Sequence, residues 1–128
     1  MSWQTYVDDH LVGTGVVTKA GIYNLQGEEW ATSPDFLSAE EVARVAGGFA
    51  TDVDIAAHFG GSTSLMGSNT MFVSGDESEM VFMQRSNSFF FFKCSTCIIA
   101  AHSADGILRR ACRATAEKLA DYLKKQGV

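Results

Sequence analysis

Cys94-Ser-Thr-Cys97 is the one C-x-x-C in the chain. Zinc takes a second pair of ligands at comparable spacing, and none stands nearby. A redox motif places its first cysteine at a helix start, where the thiolate is stabilised; the pattern around Cys94 reads as a junction between two strands. A small thiol-dependent enzyme using Cys94 and Cys97 is therefore the rival reading, set against no catalysis at all. His10, His58 and His102 are scattered, with no paired spacing and no activated Ser or Cys beside them. Gly13-Thr14-Gly15 follows a helical stretch, the wrong context for a dinucleotide loop. Asp8-Asp9 and Glu40-Glu41 are sequence neighbours, so on a helix they diverge by ~100°. These residues point to no metal, no cofactor and no catalytic centre.

The aromatics are the remaining chemistry. Trp3 and Tyr6 stand three apart, as neighbours on a helix surface, and Val7 and Leu11 continue the stripe to a stop at Gly13. Trp30 falls on a strand and Tyr122 at the edge of the last helix's apolar face. Either these rings pin terminal helices to a core, or they converge as the floor of a groove. Flat aromatic floors take proline-rich ligands, because the polyproline II helix is pre-formed and stacks its rings at little entropic cost.

The elements that must position them follow in order. Val16–Tyr23 and Glu28–Thr32 read as a hairpin around Gln26-Gly27. Ser38-Ala-Glu-Glu41 matches a capping box opening a helix through Phe49, and Asp52 is placed to cap a short helix reaching His58. Strands are expected at Thr70–Val73, Glu79–Gln84, Phe89–Lys93 and Cys97–Ala101, with turns at Gly75-Asp76 and Ser86-Asn87-Ser88. Successive strand side chains face opposite sides, so four phenylalanines at Phe89–Phe92 require a sheet covered on both faces. Leu108, Cys112, Thr115, Ala116, Leu119 and Leu123 mark the last helix, with Lys124 and Lys125 in its final turn.

A chain of 128 residues with 46% hydrophobic and 20% charged residues is expected to form one domain over 1–128. No apolar run spans a bilayer, the opening residues do not read as a signal peptide, and three cysteines fit reduced thiols; the expected compartment is the cytoplasm. Charge is uneven. Residues 1–104 carry 4 basic and 12 acidic side chains, while residues 105–128 carry 6 basic and 3 acidic. Without an aromatic-studded basic face, nucleic acid is not the expected partner. The basic end is either a docking surface or a solvated helix face.

The chain resembles the profilin family over essentially its full length. Ser2-Trp-Gln-Thr-Tyr-Val-Asp8 with Leu11-Val-Gly-Thr-Gly15, then Trp30-Ala-Thr-Ser33, then Glu117-Lys-Leu-Ala-Asp-Tyr-Leu123 are similar to that family's three landmarks, in order. The resemblance implies an α/β fold of the α+β type: a central antiparallel sheet, both terminal helices on one face and the shorter helices on the other. It implies a non-enzymatic cytoskeletal regulator that binds monomeric actin, sequestering monomers or delivering them to barbed ends, and that binds proline-rich segments of actin nucleators and elongators. Trp3, Tyr6, Trp30 and Tyr122 match the proline-binding positions; Val128 replaces a residue that is often larger, implying a thinner groove edge. On the actin face Ser74 and Ser78 stand where arginines are common, and Met83 where a basic residue is frequent. Arg85, Lys93, Arg109, Arg110 and Arg113 are the remaining candidates there. The three arginines of the last helix either replace the lost charge or form a solvated face. Phosphoinositides, which need clustered basic charge, are the partner these residues support least. The alternative is a proline-binding adaptor with weak or lost actin and phosphoinositide binding.

Overall fold

A computed structural model describes residues 2–50 and 53–128. Among the described residues the chain builds one antiparallel sheet of β1 (Lys19–Asn24), β2 (Glu29–Thr32), β3 (Ser62–Leu65), β4 (Ser68–Gly75), β5 (Glu79–Gln84), β6 (Asn87–Lys93) and β7 (Cys97–Ser103). Its spatial order is β2-β1-β7-β6-β5-β4-β3. The four phenylalanines split as their alternation requires. Phe90 and Phe92 join a core with Val7, Leu11, Ile99, Ala116 and Leu119 under the terminal helices. Phe89 and Phe91 join a second core with Val42, Val45, Phe49 and Phe59 under α2 (Ala39–Gly48) and α3 (Ile55–Phe59). The expected two-sided architecture is present.

The amino-terminal segment is less regular than its apolar stripe suggests. One α-helical turn, α1 (Trp3–Thr5), opens into a wider π-helical turn, Tyr6–Leu11, and closes through a 3-10 turn, Val12–Thr14. The Val12 amide donates to the carbonyls of both Asp8 and Val7. This widening leaves Val7 and Leu11 fully buried. Gly13 is not the stop. A Cβ there would sit 2.8 Å from the Asp8 carbonyl oxygen, and the left-handed terminator is Gly15, at φ 82°. The last helix, α4 (Arg109–Lys125), packs its Cys112, Ala116, Leu119, Ala120 and Leu123 on the same sheet face.

The capping box closes as expected: the Glu41 amide donates to Ser38 Oγ, and the Ser38 amide to Glu41 Oε1. The structure adds a second duty. The same carboxylate also accepts from Ser64 Oγ and the amides of Met66 and Gly67, tying α2 to the β3–β4 turn. Burial pushes the Glu41 carboxyl up, but the bonds from Ser38, Gly67, Ser64 and Met66 outweigh it and hold it below its ordinary value. A depressed folded pKa gives stability that is present above the unfolded value and lost as pH falls through the folded one. Glu41→Gln is expected to cost about 1–3 kcal/mol at neutral pH and to flatten the acid loss of stability. Denaturant titrations at pH 7 and in the acid range check this; a variant as acid-sensitive as wild type refutes it.

Some sequence expectations shift. β1 starts at Lys19 instead of Val16, where pairing with β7 begins, and Val17 before it is buried in the helix-side core. β3 was not anticipated: its Ser62-Thr-Ser-Leu pattern is mostly polar, with only Thr63 and Leu65 turned inward. The β5–β6 turn is Arg85-Ser86, with Arg85 at φ 55°, so Asn87 and Ser88 belong to β6. The cap of α3 is Asp54, whose side chain accepts from the Ala57 amide; Asp52 lies outside the described residues. Gly48 weakens α2 for a reason, since a Cβ there would meet Phe59 and Met80 at 2.8 Å.

Candidate functional site

Three of the four aromatics form a contiguous floor. Ser2 caps the first turn by accepting from the Thr5 amide, and Gln4 Nε2 donates to the Thr32 carbonyl at 3.1 Å, pinning that turn to β2. Trp3 then lies 4.9 Å from Trp30, ring centre to ring centre, and 5.7 Å from Tyr6. All three rings are partly buried against the helix-side core. Trp30 reaches this face through a β-bulge. Ile22 pairs with Ala31 and Tyr23 with Glu29, so Trp30 is the extra residue, and a bulge re-aims the side chain it carries.

Tyr122 stands across from Tyr6 on α4, 49% exposed. Between them opens a cleft of about 460 Å³, lined also by Asp9, His10, Thr14, Thr115 and Lys118. Partial desolvation and the neighbouring Tyr122 hydroxyl raise the Tyr6 phenol above its ordinary pKa, so the Tyr6 hydroxyl is a protonated donor at neutral pH. His10 packs against Tyr6 within the same cleft, at 5.3 Å between ring centres. Apolar ring faces with hydroxyl donors at the rim suit a ligand rich in rings and free carbonyls, which a polyproline II helix presents.

The candidate basic residues are divided. Arg109 Nε donates to Ser88 Oγ at 2.7 Å. Arg113 lies one turn on, bidentate to Glu79 at 2.6 and 2.7 Å and 3.2 Å from Glu117, with its guanidinium over Phe92. Arg110 is exposed on the same helix turn, and Arg85 is exposed at the β5–β6 turn. Lys93 does not join them. It follows Phe92 on β6 and therefore faces the other side, where its ammonium donates to the Phe49 carbonyl at 3.4 Å. Ser74 and Ser78 are exposed, and Met83 is partly buried against the helix-side core.

Sequence reasoning missed what lies beside those arginines. Met71 pairs with Met83, and Met83 with Ser88, so an apolar row runs from β4 to the serine held by Arg109. Met71 is 62% exposed, and Val73, the extra residue of a second bulge, is exposed as well. The period-two alternation was visible in the sequence; that no helix among the described residues covers Met71 was not. Asp9, His10, Thr14, Thr115 and Lys118 also went unassigned, because they meet only once the terminal elements pack antiparallel.

Cys94 and Cys97 are free thiols in the helix-side core. Cys94 borders a cavity at the sheet's end whose described lining includes Glu77, Lys93 and Lys124.

The sequence profile of the Profilin family matches residues 1–128. The chain is 37% identical over 124 residues to the profilin of Branchiostoma belcheri, covering 96% of each. It superposes on the crystal structure of Acanthamoeba castellanii profilin II with a TM-score of 0.89 at 34% identity, over 99% of this chain and 100% of that one. Mouse profilin IIa, solved in complex with a double repeat from the FH1 domain of mDia1, shares the fold at a TM-score of 0.74 and 16% identity, over the full length of both. With the sheet, the paired terminal helices and the aromatic floor in place, the chain belongs to the profilin family, a family of non-enzymatic regulators of actin assembly.

Proposed function

We propose that this chain acts as one unit over 1–128, a cytoplasmic, non-catalytic adaptor that binds proline-rich segments in the Trp3–Tyr6–Trp30–Tyr122 groove and actin monomers on the face carrying Arg109, Arg110, Arg113 and Arg85. The observation that carries it is the ring cluster, with Trp30 and Tyr6 at 4.9 and 5.7 Å from Trp3 and a cleft opening beside them. In the mouse relative it is an FH1 repeat that is bound. No helix among the described residues is long and apolar enough to cross a membrane. Retention of the purified chain on immobilised poly-L-proline, with elution by free proline peptide, tests the groove; free flow-through refutes it.

The actin half rests on the row of exposed Met71 and half-buried Met83, edged by Arg109. Apolar centres ringed by arginine are what protein interfaces are made of. Met71→Asp is expected to weaken actin binding by roughly tenfold or more, about 1.4 kcal/mol at least, while leaving proline retention unchanged. Slowing of spontaneous actin assembly reads this out. The second reading, a proline-binding adaptor with little actin affinity, is favoured by Arg113 being neutralised by Glu79 and Glu117; a wild type that leaves assembly unaltered at large excess selects it. The same ion pairs thin the clustered positive charge that phosphoinositide headgroups require.

A further inference from the structure

We propose that Cys94 and Cys97 form a dithiol–disulfide pair, closed by a peroxide and reopened by a thiol reductant, and that closing it loosens the carboxyl-terminal side of the aromatic groove. β6 ends at Lys93 and β7 begins at Cys97, so the two cysteines face each other across Ser95-Thr96. The Cys94 amide donates to the Cys97 carbonyl at 2.7 Å. Directly opposed residues of an antiparallel pair have Cα atoms roughly 4.5–5.5 Å apart, inside the window a disulfide spans. Both side chains enter the same helix-side core, so they share a face of the hairpin.

The two thiols are not equivalent. Cys94, 4% exposed, borders a cavity of about 610 Å³ together with Lys93, Ser95 and Lys124, which is the side from which a peroxide would approach it. Cys97 is wholly buried behind it, able to reach Cys94 and little else. A hydrogen bond from Cys97 lowers the Cys94 thiol against the effect of its burial, and the Lys124 ammonium adds to the lowering; the same bond, with burial, raises Cys97. The third thiol, Cys112, lies on α4, wholly buried, and burial pushes it up to about 12.

The chemistry balances with the peroxide as the only co-reactant. The Cys94 thiolate attacks a peroxide oxygen, the O–O bond breaks, and the leaving hydroxide takes up the thiol proton as water, leaving a sulfenic acid. The Cys97 sulfur then attacks the Cys94 sulfur; the S–S bond forms, the S–O bond breaks, and the hydroxyl leaves with the Cys97 proton as a second water. Two thiols are oxidised and one peroxide is reduced.

The coupling runs through two contacts. The Cys94 thiol donates to the Ala120 carbonyl, at 3.7 Å, two residues before Tyr122. The Thr96 amide, within the turn, donates to the Val128 carbonyl at 2.9 Å, and Val128 packs on the same core as Trp3, Tyr6 and Trp30. Forming the disulfide removes the thiol proton from the first contact and re-angles the turn that makes the second.

The test treats the reduced full chain with hydrogen peroxide, alkylates remaining thiols in denaturant, and maps them by mass spectrometry. Expected is a segment bearing Cys94 and Cys97 lighter by two hydrogens and reversible by dithiothreitol, with Cys112 fully alkylated. Cys97→Ala should stop at a Cys94 sulfenic acid that dimedone captures. Proline-peptide affinity should fall about fivefold on oxidation, the low end for coupled sites, recover on reduction, and stay constant under peroxide in Cys94→Ala, or in Cys94→Ser where the alanine variant does not fold. Oxidation at Cys112 first, over-oxidation of Cys94 with Cys97 still free, or a disulfide without change in affinity overturns the proposal. The affinity readout rests on the groove reading, and the two fail separately: a reduced chain that never binds proline peptide sinks the groove, whereas the mass map judges the disulfide alone.

Discussion

Trp3→Ala is expected to abolish retention on poly-L-proline. Trp3 is the ring in contact with both Trp30 and Tyr6, so its removal takes away its own stacking surface and the brace that orients its two neighbours. Central aromatic anchors of this kind contribute about 2–4 kcal/mol to binding, roughly 30- to 700-fold in affinity. Trp3→Phe keeps a flat ring and should restore part of it. The quenching of tryptophan fluorescence by a proline peptide gives the affinities of both variants. A Trp3→Ala protein that is folded and binds within threefold of wild type would place the ligand elsewhere. The substitution should leave actin assembly effects intact, because the Met71–Met83 row lies beyond α4 from the groove.

Phe91→Ala should be the most damaging single core truncation on the sheet's other side. The ring is buried, packs edge-to-face on Phe82 at 5.7 Å, and belongs to the layer closed by α2 and α3. Phe82 in turn contacts Phe59 and Phe72 in the same edge-on manner, so the cavity opens against an interlocked aromatic set with little freedom to collapse. A loss of about 3–5 kcal/mol is expected, a large part of the roughly 5–15 kcal/mol that holds a protein of this size folded. Urea unfolding should show a lower midpoint at unchanged slope. A loss under about 1.5 kcal/mol would mean that α2 and α3 settle onto the gap.

The rings of the groove were legible because tryptophan and tyrosine at helical spacing in a short, otherwise polar segment are unusual, and because Tyr122 sits at the margin of an apolar stripe. Phe89–Phe92 announced two cores for an equally local reason: four apolar residues in a row on a strand must face both ways. The arginines were legible as charges but not as a site. Arg113 is spent on Glu79, a residue 34 positions earlier, and Lys93 falls on the opposite face of the sheet from Arg109. Neither relation has a sequence period to betray it. Glu41 was readable as a cap, since that bond spans three residues, but not as the clamp on Ser64, Met66 and Gly67.

What the amino-acid order settled unaided was whatever depends on near neighbours: the capping box, the alternation of Phe89–Phe92, the stripe of α4 and the adjacency of Trp3 and Tyr6. Tertiary structure alone decided the bulge that turns Trp30 toward Trp3, the cleft between Tyr6 and Tyr122, the exposure of Met71 on β4, and the placing of Cys94 at a cavity with Cys97 behind it. Local preferences act over one or two turns of chain. These outcomes depend on which distant element arrives to bury a face or leaves it open, and that is settled only when the whole sheet and both helix layers close.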